Sequence, residues 1–285
     1  MMSALSRAVR SSARAARLIP RYATAARRVL PDFLIVGAQK AGTTSLYEYL
    51  CEHPSVQPAL TKEVHYFDLQ FDRGLKWYRA HFPLRSHMAV ASSTARPISG
   101  EASPYYLFHP LVPQRVADTL PSVKLLVVLR DPVERALSHY FHEVRWGHET
   151  REIDEALWSG DDLVAQEALA IAGGLQTRSY VHQHYSYLAR GRYAEQLRRW
   201  FAVVPQERAL VLDFGELERS VEDSLRRVFD FLGLPPRASA RYERYNVGEP
   251  RTVPAAIRAK LRLEFSTANA ELEELLGRSL SWPRS

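Results

Sequence analysis

The stretch F-L-I-V-G-A-Q-K-A-G-T-T-S-L-Y-E-Y-L, Phe33 to Leu50, changes its periodicity once, and that change decides the fold. Phe33, Leu34, Ile35 and Val36 form the short apolar run of a parallel strand covered on both faces. From Thr43 the spacing is helical, with Leu46, Tyr49 and Leu50 on one face and Pro54 barring continuation. In the loop between, Gly37 and Gly42 let the backbone turn tightly. The N–H groups of Gly42, Thr43 and Thr44 then stand at a helix N-terminus, and Lys40 adds a point charge. Strand, loop and helix together read as a cradle for a phosphate.

The distance from Gly37 to Gly42 is that of a nucleotide triphosphatase loop, in which a lysine follows the second glycine. Here Thr43 follows Gly42, and Lys40 lies two residues before it. A lysine in mid-loop meets the phosphate from another side.

Further strands are expected at Ile98–Tyr106 (a short strand and turn), Lys124–Leu129 and Arg208–Phe214. Helices alternate with them: Gly74–Phe82, a helix from Asp131 with Pro132 in its first turn, Glu152–Gly173 broken near Gly160, Tyr193–Val203, Ser220–Leu232, and Pro254–Leu276. Ile153, Leu157, Leu163 and Leu169 are the expected inward positions of the 152–173 segment. Residues 52–61 and 85–97 read as loops. The alternation predicts an α/β fold, a P-loop-like three-layer sandwich with a central parallel sheet flanked by helices.

Polar residues cluster where such strands end, the edge at which open α/β sheets bind ligands. Lys62, Glu63 and His65 stand beside Tyr66 and Phe67. Desolvation there would raise the pKa of Glu63 and suit it to act as a general base; capping a strand is the competing role. Glu101 and Ser103 end another strand. Arg130 follows a third, where it either starts a helix in a salt bridge with Asp131 or holds an anion jointly with Ser138. His142 is one further turn along the face of Ser138.

With 46% hydrophobic and 25% charged residues, the 285-residue chain has an ordinary globular composition. Its single cysteine, Cys51, permits no intrachain disulfide, a pattern of reducing compartments. The net charge is +6, but residues 1–31 hold seven arginines and no acid, leaving 31 basic against 32 acidic residues elsewhere. Nucleic-acid binding is therefore not expected. Rich in Arg, Ala and Ser, residues 1–31 have the composition of a mitochondrial or chloroplast transit peptide, with Arg7, Arg10, Arg14 and Arg17 at helical spacing. An organelle is the expected location, with the cytoplasm as the alternative. The expected division is a basic extension, 1–31, and a catalytic domain, 32–285. No apolar run of about 20 residues supplies a membrane span, and nothing in the sequence sets an oligomeric state.

From Phe33 to Trp282 the chain resembles the sulfotransferases of heparan sulfate, both N-deacetylase/N-sulfotransferases and 3-O-sulfotransferases. The resemblance is carried, in order, by G-A-Q-K-A-G-T-T, K-E-V-H-Y-F-D, G-E-A-S-P-Y-Y, L-R-D-P-V-E-R-A-L-S-H-Y, R-G-R-Y-A-E-Q-L-R-R-W and a terminal L-L-G-x-x-L-x-W. It implies an enzyme moving a sulfuryl group from 3′-phosphoadenylyl sulfate (PAPS) to a hydroxyl or amine, a glycan's first of all. It further implies Lys40, with Ala41, Gly42, Thr43, Thr44 and Ser45, on the 5′-phosphosulfate, and Arg130 and Ser138 on the 3′-phosphate. Glu63 matches the base, and His142 a histidine near the transferred group. Ala102 stands where the family usually has lysine, and G-E-P-R-T at 248–252 leaves Arg251 as the counterpart of a lysine–glycine–arginine element. No metal is expected, because no histidines and carboxylates have ligand spacing. A P-loop kinase or nucleotidase, and a non-catalytic PAP- or PAPS-binding protein, are the alternatives; a kinase wants an acidic metal ligand at a strand's end.

Overall fold

A computed structural model describes residues 17–88, 95–237 and 252–283. Five parallel strands form one sheet in the order β2-β3-β1-β4-β5: β1 Phe33–Gly37, β2 Val56–Pro58, β3 Ile98–Ala102, β4 Lys124–Leu129 and β5 Ala209–Asp213. All five residues of β1 and of β3 are buried; β1 is accordingly apolar throughout, and β3 is small or apolar except for the buried Glu101. From β1 the chain builds outward on one side through β2 and β3, then crosses to β4 and β5 on the other. That reversal opens a crevice at the carboxyl ends of β1, β3 and β4. The α/β sandwich expected from the sequence is the fold observed.

Three local expectations differ from what forms. Residues 52–61 contain the edge strand β2, paired with β3 from Val56 opposite Ile98 to Pro58 opposite Gly100. At three residues it is too short to show a period, and Pro58 is tolerated because the strand is at the edge. In the 85–97 segment, Arg85–Met88 is a short helix. The helix Asp161–Ala172 buries Val164 and Ile171, whereas Leu163 and Leu169 are 45% and 73% exposed. Val164 packs with Tyr105 and Phe108, and this contact rotates the inward face away from the two leucines.

The last part of the basic segment is built into the domain. Residues 17–23 are helical, Ala25 is fully buried, and Arg28 bridges to Leu84. Arg21 Nε donates to Ala80 O at 2.7 Å and Arg28 Nη1 to Phe82 O at 2.8 Å, so two of the seven arginines cap the carbonyls that end the Gly74–Arg79 helix. The boundary drawn between residues 31 and 32 falls at the end of this packed segment and sets it apart from the domain it packs on. No described helix is long and apolar enough to cross a membrane.

Candidate active site

The loop after β1 is shaped by the positions its glycines occupy. Gly42 is the N-cap of the helix Thr43–Cys51 with φ 77°, and a Cβ there would come within 2.5 Å of the Phe214 ring. A glycine N-cap brings no side chain to the helix's first N–H groups, which no residue within the helix can satisfy. Lys40 itself has φ 70° and places Nζ 3.5 Å from His142 Nδ1. Burial lowers its pKa, and the charges of Arg145 and Arg130 lower it further. Two further cations thus stand near Lys40, with Glu143 and Glu63 opposing their effect.

Arg130, at the end of β4, donates from Nη1 to Lys40 O at 3.0 Å and lies over the Phe214 ring at 5.2 Å. This single bond leaves most of its five donors for other partners. Its carbonyl accepts from Tyr193 Oη at 2.8 Å, and Trp282 packs on Tyr193 with ring centroids 5.9 Å apart. The terminal tryptophan motif thus buttresses the arginine from across the chain. Asp131 caps the helix Pro132–Trp146, accepting from Val133 N at 2.9 Å, which makes it a helix start and not a bridge to Arg130. Ser138 is half-buried on that helix, with His142 a turn beyond. Arg251 lies outside the described residues.

Glu63 comes to the crevice from the other side. Its N–H bonds Ala102 O at 3.0 Å, at the end of β3, and its φ is 60°. With 43% of the side chain exposed, its carboxylate pairs with Lys62 Nζ at 2.6 Å and His65 Nε2 at 3.4 Å. The expected rise in pKa does not occur: burial pushes it up, but His65 and Lys62 outweigh burial and hold it down at about 2. His65 also has a positive φ, 54°, and bonds the buried Asp68 at 2.7 Å through Nδ1. Burial lowers its pKa, while Asp68 and Glu63 raise it to about 10, so an imidazolium bridges two carboxylates.

Beneath this loop lies Glu101, fully buried. Tyr78 and Tyr106 hydroxyls donate to Oε1 at 2.8 and 3.0 Å, Ser103 Oγ to Oε2 at 2.8 Å, and Val64 N to Oε2 at 3.3 Å. His65 N donates to Ser103 Oγ and Tyr66 N to Tyr106 Oη, extending the network along the loop. Glu101 and Ser103, which the sequence places at a ligand edge, are interior supports. Arg190 does the same for the phosphate loop: fully desolvated between Tyr105 and Phe108, it donates to Gln39 Oε1 at 2.7 Å. Neither supporting role is legible locally, because Arg190 reaches Gln39 across 151 residues and Glu101 is completed by Tyr78 and Val64 from outside its own motif. Ligand spacing likewise misses Glu143, His148 and His184, whose donor atoms converge next to His142.

The acidic residues at strand ends are otherwise engaged: Asp131 after β4 and Asp213 ending β5 cap helices, Asp213 through Gly215 N at 2.6 Å, and Glu101 near the end of β3 is fully buried among its four donors. That leaves the kinase reading without its strand-end metal ligand. Fold and loop define an α/β transferase with a nucleotide-phosphate site. The sulfotransferase domain family matches residues 30–252, and the chain belongs to it. It is 30% identical to the crystal structure of a sulfotransferase from Alicyclobacillus acidocaldarius, with TM-score 0.68, covering 89% of this chain and 98% of that one. Mouse heparan sulfate glucosamine 3-O-sulfotransferase 6 is 30% identical over 90% of this chain and 75% of its own length. The membrane-associated sulfotransferase kil1 of Dictyostelium discoideum is 26% identical over 89% of this chain, which spans 66% of it. The activity is PAPS-dependent sulfuryl transfer. The organellar location expected from the leader is overturned: a relative over nearly the whole chain is membrane-associated, and Arg21 and Arg28 of the supposed leader are structural.

Proposed function

We propose that the chain transfers the sulfuryl group of PAPS to a hydroxyl or amine of a glycan, with Lys40 and Glu63 on opposite sides of the transferred group. One observation carries this reading. Lys40 follows β1 and Glu63 is pinned to the end of the adjacent parallel strand β3, near enough that the charge of Glu63 acts on Lys40. Lys40, Ala41, Gly42, Thr43, Thr44 and Ser45 hold the 5′-phosphosulfate, Arg130 and Ser138 the 3′-phosphate, and Arg251 is assigned to the same nucleotide. The uncapped helix N-terminus and the cations Lys40, Arg130 and Arg145 suit such a polyanion.

The acceptor atom forms its bond to sulfur as the bond from sulfur to the bridging phosphate oxygen breaks, and the acceptor proton passes to Glu63. Glu63 is ionised, the form that accepts a proton, and because Lys62 and His65 hold its pKa at about 2 they must loosen their hold as the proton arrives. Asp68 fixes the His65 ring and thereby orients the carboxylate. Charge growing on the leaving phosphate is met by Lys40, whose ammonium His142 orients. We assign the catalytic unit to everything from the packed 17–31 segment through Trp282.

The glycan assignment rests on the mouse 3-O-sulfotransferase relative. Incubation with 35S-labelled PAPS and a panel of desulfated heparan sulfate, chondroitin and small phenols tests it. Label is expected in heparan-type glycan. Label confined to phenols would sink the glycan assignment, and PAP binding without any transfer would sink the catalytic one.

A further inference from the structure

At the end of the helix Pro132–Trp146, Gly147 turns the chain with φ 73°, and His148 folds back over the last turn, its N–H on Glu143 O at 2.9 Å. The short helix Tyr180–His184 delivers a second histidine to the same place. Glu143 Oε2 lies 2.8 Å from His148 Nδ1 and 2.9 Å from His184 Nδ1, and the two ring nitrogens are 3.1 Å apart.

Hydrogen bonds alone cannot satisfy this triangle. For both rings to donate to the carboxylate, both Nδ1 atoms must carry hydrogens, which then confront each other across 3.1 Å. If only one carries hydrogen, the other ring turns a lone pair toward an anionic oxygen. A cation at the centre satisfies all three atoms. Metal–ligand bonds of about 2.0–2.2 Å at tetrahedral angles place donors roughly 3.3–3.5 Å apart, a few tenths wider than the triangle observed. His139 Nε2 lies 3.3 Å behind Glu143 Oε1 without hydrogen-bonding to it, and Tyr185 Oη fixes the loop by donating to His148 O at 2.9 Å. The Glu143 side chain is 3% exposed and His148 is 35% exposed, so the triangle is rooted in the core and open on one side.

We infer that Glu143, His148 and His184 bind a divalent transition-metal ion of the zinc class, with an open coordination position toward solvent. The ion ties the 147–151 turn and the Tyr180–His184 helix to the helix end that carries His142. It is a site separate from the phosphate loop, and it stands or falls independently of the acceptor. The expectation of no metal came from spacing; residues 143, 148 and 184 are too scattered to form a motif.

The full chain, stripped with a chelator and dialysed, is titrated with Zn2+ by calorimetry and with Co2+ by visible absorption. One ion per chain is expected, with the intense d–d bands of a four- or five-coordinate site, and Zn2+ raises the melting temperature. His148→Ala and His184→Ala each weaken Zn2+ binding about 100-fold or more and abolish that rise, whereas His142→Ala keeps it. Glu143→Gln retains the side chain's shape, guards against misfolding, and is expected to lose affinity as the histidine variants do. Equal Zn2+ affinity in the wild type and in the His148→Ala/His184→Ala double variant overturns the inference, as does the pale spectrum of six-coordinate Co2+.

Discussion

The two halves of the proposed transfer site are built in opposite ways. In the phosphate half, the strand, the glycine turn and the helix N-terminus all lie between Phe33 and Cys51, and the ligand-facing groups are mostly backbone. The acceptor half consists of a loop, Lys62 to Asp68, whose shape comes from a carboxylate 38 residues beyond Glu63, buried under it with donors from Tyr78, Tyr106, Ser103 and Val64. A locally encoded site degrades piecemeal when altered, whereas one resting on a single buried network fails as a unit.

The largest effect separating the halves is expected from Glu101→Ala. Removing the carboxylate strands several buried donors at about 1–3 kcal/mol each, so denaturant unfolding should register a loss of roughly 3 kcal/mol or more. Turnover collapses while the remaining folded protein still binds PAP by calorimetry; a matching loss of PAP affinity would show that the halves are not separate. Next comes Glu63→Gln, which keeps the packing and removes the base. It should cut turnover about 100-fold or more with PAP affinity unchanged, and a variant retaining over about a tenth of its rate would move the base elsewhere. Lys40→Ala should damage both, weakening PAP binding by about 1.5–3 kcal/mol in the same titration. Smaller still is Gly42→Ala, expected to cost about 1–2 kcal/mol in nucleotide binding because its Cβ meets Phe214 in a left-handed backbone; turnover at saturating PAPS is the contrast to measure.

A last effect is one of pH. The pKa of His65 is raised in the fold to about 10 from an ordinary 6.5, so its contribution to stability is complete below pH 6.5. It fades as the pH rises toward 10, where folded and unfolded states both lose the proton. In His65→Gln that slope should flatten in urea midpoints taken across this window. An unchanged slope would free His65 from its two carboxylates.

The same contrast explains what could be read from the chain. β1, β4 and β5 and the helices after β1 and β4 were legible because an apolar run, a turn and a helical period are local signals, whereas the short helix Phe214–Arg219 after β5 was not read. The short β2 carried none, and the inward face of Asp161–Ala172 was set by its partner Phe108. At the site, Lys40, Arg130 and Glu63 were found through motifs, but the sign of the pKa shift on Glu63 was not. It depends on where Lys62 and His65 swing in three dimensions. Gln39 with Arg190, Glu101 with Tyr78, and Glu143 with His184 are pairings over 151, 23 and 41 residues, and each network is complete only with such a distant partner.

Among the described residues, the non-glycine positions with positive φ are Lys40, Glu63 and His65. Each such conformation costs on the order of 1–2 kcal/mol for an ordinary side chain, and glycine or asparagine adopts it with less strain. For laboratory evolution this sets a trap. A library sorted by heat resistance alone is offered relief at three positions of the proposed site, so its winners drift toward sturdy, inert proteins unless every round also counts transferred sulfate.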